Sequence, residues 1–120
     1  MLTELSGYVQ LRSNLQVPIK YAVIDAAVNG NNTLVAAVTG SKIRVVSLFY
    51  LAAGTVTVTF QTGASGTALT GGMQHTAQTG VVLPFNEDGW FQTAASALLN
   101  LSLSTGVSVD GSLSYIEVPS

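Results

Sequence analysis

Apolar and polar residues alternate with a period of two along most of the chain from Ile19 onward, and helical periodicity is hard to find. In Gly54–Thr62, valine and phenylalanine alternate with threonine and glutamine, which is typical of a strand with one buried and one wet face. Ala97–Ser104 repeats this pattern with leucine. Ile43–Leu51 is almost continuously apolar and rich in β-branched and aromatic residues, so it is predicted to be a central strand with both faces largely covered. The chain is therefore predicted to be all-β.

Turn-forming residues separate the alternating segments at intervals of about 8 to 12 residues. This spacing is typical of a sandwich or a barrel of about eight or nine strands. The predicted strands are Lys20–Ala27, Thr33–Val38, Ile43–Leu51, Gly54–Thr62, Gly80–Phe85, Trp90–Thr93, Ala97–Ser104 and Val107–Val118. A turn or a bulge is expected at Asp110-Gly111, inside the last of these segments, because Asp-Gly is a frequent turn pair.

A length of 120 residues corresponds to one domain. Residues 1–18 have weak patterning and end in a proline, so they are predicted to be an N-terminal arm or extended segment, or a strand lent to a neighbour. Residues 19–120 are predicted to form the β-sandwich domain. Within this domain, Thr62–Thr79 is rich in Gly, Ala, Ser and Thr and predicts a long loop with one short strand.

Only 8% of the residues are charged, against about 25% in an average soluble domain. Four Lys plus Arg cannot build a phosphate-binding stripe, so no nucleic-acid partner is expected. No apolar run suits a transmembrane helix, and an acid near the N-terminus stands where a secretion signal has a positive region, so neither membrane insertion nor export is expected. Sparse charge with apolar residues in every strand suits a subunit that is partly covered by neighbours. A neutral monomeric sandwich is the alternative.

Few residues in the chain could carry catalysis. There is no cysteine, and the single histidine, His75, lies in the Gly/Thr-rich loop, where it is expected to be solvated or at an interface. The adjacent acids Glu87-Asp88 could bind Ca²⁺ with backbone carbonyls, but Asn86–Gly89 is better explained as a turn between two strands. No catalytic residue, cofactor or metal site is predicted, and the protein is not expected to be an enzyme.

Several segments of the chain, taken together and in order, carry a resemblance to a known family. They are Thr33–Ser47, Val56–Gly63, Leu69–Met73, Pro84-Phe85, Gly89–Phe91 and Ala97–Ser104. Between about Ile19 and Val118, the chain resembles small tailed-phage head decoration (capsid cement) proteins with a single jelly-roll domain. The resemblance implies a jelly-roll sandwich, a homotrimer, and a position on the exterior of the virion's capsid (head), where such proteins bind the major capsid protein and stabilise the shell. Such a role needs many modest contacts over a lattice and no catalytic residue.

The contact with the capsid or with a neighbour is expected on the arm and on one end of the sandwich. Apolar side chains with little fold of their own can become ordered against a partner and add contact area when they dock. The candidate contact residues are Leu2, Leu5, Tyr8, Val9 and Leu11. Trp90 and Phe91 are candidates either for the core or for anchors of the trimer. The core is favoured, because a lone tryptophan in an alternating strand is usually packed inside.

The main alternative function is a phage tail or fibre-associated receptor- or carbohydrate-binding module, since β-sandwiches also host these activities. Sugar sites expose aromatic side chains near Asp, Asn or Arg. Tyr8, Trp90 and Tyr115 are the candidates for such a site. Glycan binding without affinity for capsids would favour this alternative.

Overall fold

Twelve strands make up the regular structure of residues 7–11 and 15–120, which are the residues that the computed structural model describes. They are β1 (Tyr8–Gln10), β2 (Gln16–Pro18), β3 (Lys20–Ala26), β4 (Gly30–Val35), β5 (Ser41–Ala52), β6 (Val56–Thr62), β7 (Thr67–Ala68), β8 (Met73–His75), β9 (Thr79–Leu83), β10 (Phe91–Gln92), β11 (Leu99–Leu103) and β12 (Val109–Pro119). In this part of the chain, no helix has the length and apolar character needed to cross a membrane.

The strands form two packed antiparallel sheets and one hairpin. The first sheet has the order β3-β12-β5, and β9 and β10 share the far edge of β5. The second sheet has the order β4-β11-β6, and β7 and β8 share the far edge of β6. The chain crosses repeatedly from one sheet to the other, which is the jelly-roll arrangement of a β-sandwich. The predicted fold class, an all-β jelly-roll-like sandwich, is confirmed.

The core lies between the inner faces of the two sheets. Every second residue of the long strands points into it, as period-two alternation requires. The largest fully buried side chains there are Ile24, Ile43, Phe60, Leu99, Leu101, Leu103 and Leu113. Phe60 is central to the aromatic packing, because its ring centroid lies 6.1 Å from that of Tyr50 and 5.1 Å from that of Phe91.

All eight predicted strands overlap observed strands, but the predicted turn or bulge at Asp110-Gly111 is wrong. β12 runs straight through this pair, with Gly111 opposite Tyr50. The irregularity lies instead between Ser114 and Tyr115, where β5 contains one extra residue, Val46. Glycine stands at position 111 for a steric reason and not to form a turn. The backbones of β12 and β5 approach closely there, and a side chain would collide with β5.

Strands β1 and β2 pair as an antiparallel hairpin that folds back onto the outer face of the first sheet. Val9 and Val17 of the hairpin pack against Val46 and Ile116, and all four side chains are buried. Over its described residues, the segment expected as an arm is thus a hairpin held by its own chain. Burial of these four apolar side chains stabilises the attachment.

Candidate functional site

The hairpin covers only one half of the outer face of the first sheet. The other half, here called the apolar face, presents large hydrophobic side chains to solvent. These are Tyr21, Val23, Phe49, Leu51 and Val82, each between 52% and 76% exposed. Monomeric proteins rarely leave contiguous apolar patches uncovered, and such patches mark sites of interaction with other molecules.

Strand register places the residues of the apolar face in adjoining rows. Val23 on β3 lies opposite Ser112 on β12, Ser112 lies opposite Phe49 on β5, and Phe49 lies opposite Val82 on β9. This middle row therefore crosses all four strands, with a small serine between the larger side chains. The apolar face is thus one continuous surface.

The outer face of the second sheet is polar instead. It is formed by Asn31, Thr33, Thr57, Thr59, Gln61, Asn100 and Ser102. Asn100 is fully buried, and its side-chain amide donates to Gln61 Oε1 at 2.8 Å and to Asn31 Oδ1 at 2.9 Å. The Asn100 Oδ1 atom accepts from the backbone N–H of Asn32 at 3.0 Å. The two outer faces therefore differ in character: the first sheet exposes apolar side chains, whereas the second is polar.

Two carboxylates border the apolar face. Asp25 on β3 lies directly opposite Asp110 on β12, and Asp110 lies opposite Leu51. Partial desolvation raises the pKa of Asp110 above its ordinary value, and a hydrogen bond with Asp25 and charge repulsion from it raise the pKa further. Like charges directly opposite each other destabilise a sheet, so this pair weakens the fold at neutral pH.

Asp110→Asn is expected to raise the melting temperature at pH 7. Because the folded-state pKa of Asp110 is raised, its contribution to stability is present below its ordinary pKa and is lost as pH rises through the folded-state pKa. The gain in melting temperature should therefore shrink when both proteins are measured below about pH 4. Asp25→Asn is the matched variant, and the double variant should gain little beyond either single one. Strictly additive gains would contradict repulsion between the two groups.

A groove lies at the hairpin end of the sandwich, between the hairpin and the turn at residues 86–89. Its volume is about 430 Å³, and its lining includes Leu11 and Leu15 from the hairpin and Arg44 and Glu87 from the sandwich. Both apolar and charged groups thus meet at this end of the molecule.

The predicted contact residues have different surroundings. Leu2 and Leu5 lie outside the described residues. Tyr8 is half exposed, whereas Leu11 is partly buried and lines the groove. Val9 is buried against its own chain, so its side chain does not offer a free surface to a partner.

The segment Asn86–Gly89 forms the predicted turn. The Asn86 side chain accepts from the backbone N–H of Asp88 at 3.0 Å, and Gly89 has a φ of +82°, a conformation that favours glycine. Among the residues described, no group of three or more His, Asp or Glu side chains could hold a metal ion.

Trp90 follows this turn and is 42% exposed, so the prediction that it lies in the core is wrong. Its indole N–H donates to the carbonyl oxygen of Pro84 at 2.8 Å, which ties the ring to the segment that follows β9. Phe91 takes the inward position and packs against Phe60. Alternation along the strand allows only one of two consecutive residues to point inward.

His75 is buried in β8, so its expected solvated or interface position is wrong. The Thr79 hydroxyl donates to the carbonyl of Thr76 at 2.8 Å, which leaves its oxygen to accept from Nδ1–H of His75 at 3.3 Å. The Nε2 atom of His75 is then an acceptor for the Tyr50 hydroxyl at 2.9 Å. These bonds use both ring nitrogens within the fold.

Tyr50→Phe is expected to reduce stability at neutral pH by about 1–2 kcal/mol, because it leaves a buried His75 nitrogen without a donor. Burial raises the pKa of Tyr50 to about 12. The native state therefore favours the protonated phenol, and its contribution to stability is lost as pH rises from about 10 to 12. Urea titrations at pH 7 and in this alkaline range measure both effects. A variant as sensitive to alkali as the wild type would contradict this role of Tyr50.

No protein-family model, curated protein or solved structure matches this chain significantly.

Proposed function

We propose that this protein is a virion structural protein, a head decoration or cement protein that binds the outside of a phage capsid as a trimer and stabilises the shell. The apolar face is the observation that carries the proposal. An isolated chain leaves five large apolar side chains uncovered on one sheet and keeps the opposite sheet polar. Such an asymmetric surface suits a protein that works in contact with other protein subunits.

The composition supports a role based on contact. Charged residues make up only 8% of the chain, so long-range electrostatic steering is weak and binding depends on complementary surfaces. A decoration protein repeats the same modest contact at many lattice positions and gains strength from their number. The proposal includes no enzymatic activity, cofactor, nucleic acid or membrane. The trimer and the position on the head rest on the resemblance in sequence.

The hairpin end is the proposed contact with the major capsid protein. Tyr8 and Leu15 are exposed there, at 50% and 44%, beside the groove that Leu11 lines. This end combines apolar side chains with Arg44 and Glu87, so it offers both contact area and polar partners.

The test is cosedimentation of the purified protein with phage heads that lack it, followed by cryo-electron microscopy of the decorated particles. Wild-type protein is expected to bind at regular positions on the outer surface. Leu15→Glu should weaken binding by at least about tenfold, because it places a charge in an apolar contact. Thr59→Glu, on the polar face of the second sheet, is the matched control and should bind like wild type. Absence of wild-type binding contradicts the proposal.

One observation favours the alternative, a receptor- or carbohydrate-binding module of a tail or fibre. Trp90 is 42% exposed and follows the acids Glu87 and Asp88 in the chain, and exposed aromatic rings with acids are used in sugar sites. Tyr8 is also half exposed, whereas Tyr115 is partly buried and packs against the core. Hits on a glycan array that disappear in Trp90→Ala, together with no binding to heads, would support this alternative.

A further inference from the structure

We infer that the apolar face pairs with the apolar face of a second copy of this chain about a twofold axis, sheet against sheet. The inference goes beyond the proposed function, because a pairwise contact differs from a threefold assembly and from attachment to a shell. It rests on the order of the residue rows, on the neighbouring hairpin contact and on the size of the surface.

The apolar face has three rows that run across the strands. The middle row contains Val23, Ser112, Phe49 and Val82. On one side of it lies a hydroxyl row, with Tyr21, Ser114 and Ser47, and the two serine hydroxyls are hydrogen-bonded to each other. On the other side lies an acid row, with Asp25, Asp110 and Leu51. Ser114 is buried, so Tyr21 supplies the exposed hydroxyl donor of one border, and the two acids supply acceptors on the other.

This order is self-complementary under one symmetry operation. A twofold axis that lies in the contact plane, across the strands and over the middle row, places each strand over the same strand of the second copy and exchanges the two border rows. The Tyr21 hydroxyl then lies over Asp25 of the second copy, and the reverse contact forms equally. Isologous contacts have this reciprocal form. Asp25 of each copy thus meets a hydroxyl donor instead of another acid.

The hairpin already shows how this sheet packs on its outer side. It covers the adjoining half of the same face through Val9 and Val17. Packed β-layers lie about 10 Å apart, so the sheet of the second copy would continue the layer that the hairpin begins. Tyr8 of one copy and Val28 of the other, 50% and 62% exposed, lie at the ends that such packing brings together.

The size of the face indicates a contact of moderate strength. Four strands about 4.8 Å apart and three rows about 6.8 Å apart give a footprint of roughly 400 Å². A standard interface buries about 800 Å² on each partner, so the face supplies about half and the two hairpin ends must contribute the remainder. The pair is therefore expected to dissociate on dilution.

The first experiment measures the mass of the full-length protein by sedimentation equilibrium over a wide range of concentrations. A mass of two chains, or of six if the threefold assembly also forms, supports the inference. One chain or three chains at the highest concentration overturns it. A mass of three chains would overturn the twofold pair but leave the proposed trimer intact. A mass of two chains would support the twofold pair and contradict the trimer.

The second experiment tests the register through charge. Tyr21→Lys should tighten the pair by about twofold to fivefold, because the ammonium group would face Asp25 of the second copy. Tyr21→Glu should weaken it. Val23→Lys should weaken it by at least about tenfold, since the axis places the two lysines opposite each other.

Thr59→Lys on the polar face of the second sheet is the matched control and should leave the dissociation constant unchanged. Circular dichroism and melting temperature establish that each variant is folded. Equal weakening by Tyr21→Lys and Tyr21→Glu would overturn the proposed register, and equal effects of Val23→Lys and the control would overturn the contact.

Discussion

Phe60→Ala is expected to lower the free energy of unfolding by about 3–5 kcal/mol. The side chain is 1% exposed and lies between the two sheets, and its ring contacts those of Tyr50 and Phe91. Truncation removes the buried apolar surface and leaves a cavity that neighbouring strands cannot fill without shifting. Equilibrium denaturation in urea at neutral pH measures the loss.

Thr59→Ala is the matched control for this variant, because Thr59 precedes Phe60 on β6 and points to the polar outer face. Its effect should stay within about 0.5 kcal/mol. A loss of less than about 1 kcal/mol in Phe60→Ala would mean that the space between the sheets is not close-packed around this ring.

Gly111→Ala is expected to destabilise the fold by about 3 kcal/mol or more, although it adds only one methyl group. A Cβ atom at this position would lie 2.6 Å from Cα of Tyr50 and closer still to the carbonyl oxygen of Phe49. Both are backbone atoms of β5, so relief requires the two longest strands to separate. The same measurement in urea applies.

Gly71→Ala is the control for this second variant. No atom lies within 4 Å of the Cβ position there, and the residue does not need a positive φ. Its effect should be within about 0.5 kcal/mol. If the two alanine variants were equally stable, β12 and β5 would be farther apart at Gly111 than the structure shows.

The strands of the sandwich could be predicted from the chain because alternation is local. The leucines of β11 and the alternating apolar residues of β6 must face one side, whatever their neighbours are. Resemblance supplied the jelly-roll order, since many strand orders are compatible with one alternating pattern. The turn at Asn86–Gly89 could also be predicted, because its hydrogen bonds form within four residues.

The surroundings of single side chains were harder to predict. The burial of His75 depends on Tyr50, which lies 25 residues away in the chain, so the residues around His75 did not reveal it. β5 was predicted to be covered on both sides, whereas Val46 is covered by the hairpin and Phe49 is exposed. Nothing along β5 distinguishes these outward residues from each other.

Residue order alone established the all-β character, the approximate positions of the strands and the lack of strong charge, because these properties belong to individual residues and their immediate neighbours. The folded chain decided which apolar residues find a partner. Val46 and Phe49 are similar in hydrophobicity and lie on the same strand, yet the hairpin reaches only the first. Coverage of a sheet face depends on contacts between segments far apart in the chain, so the apolar face emerged only when the strands were placed beside one another.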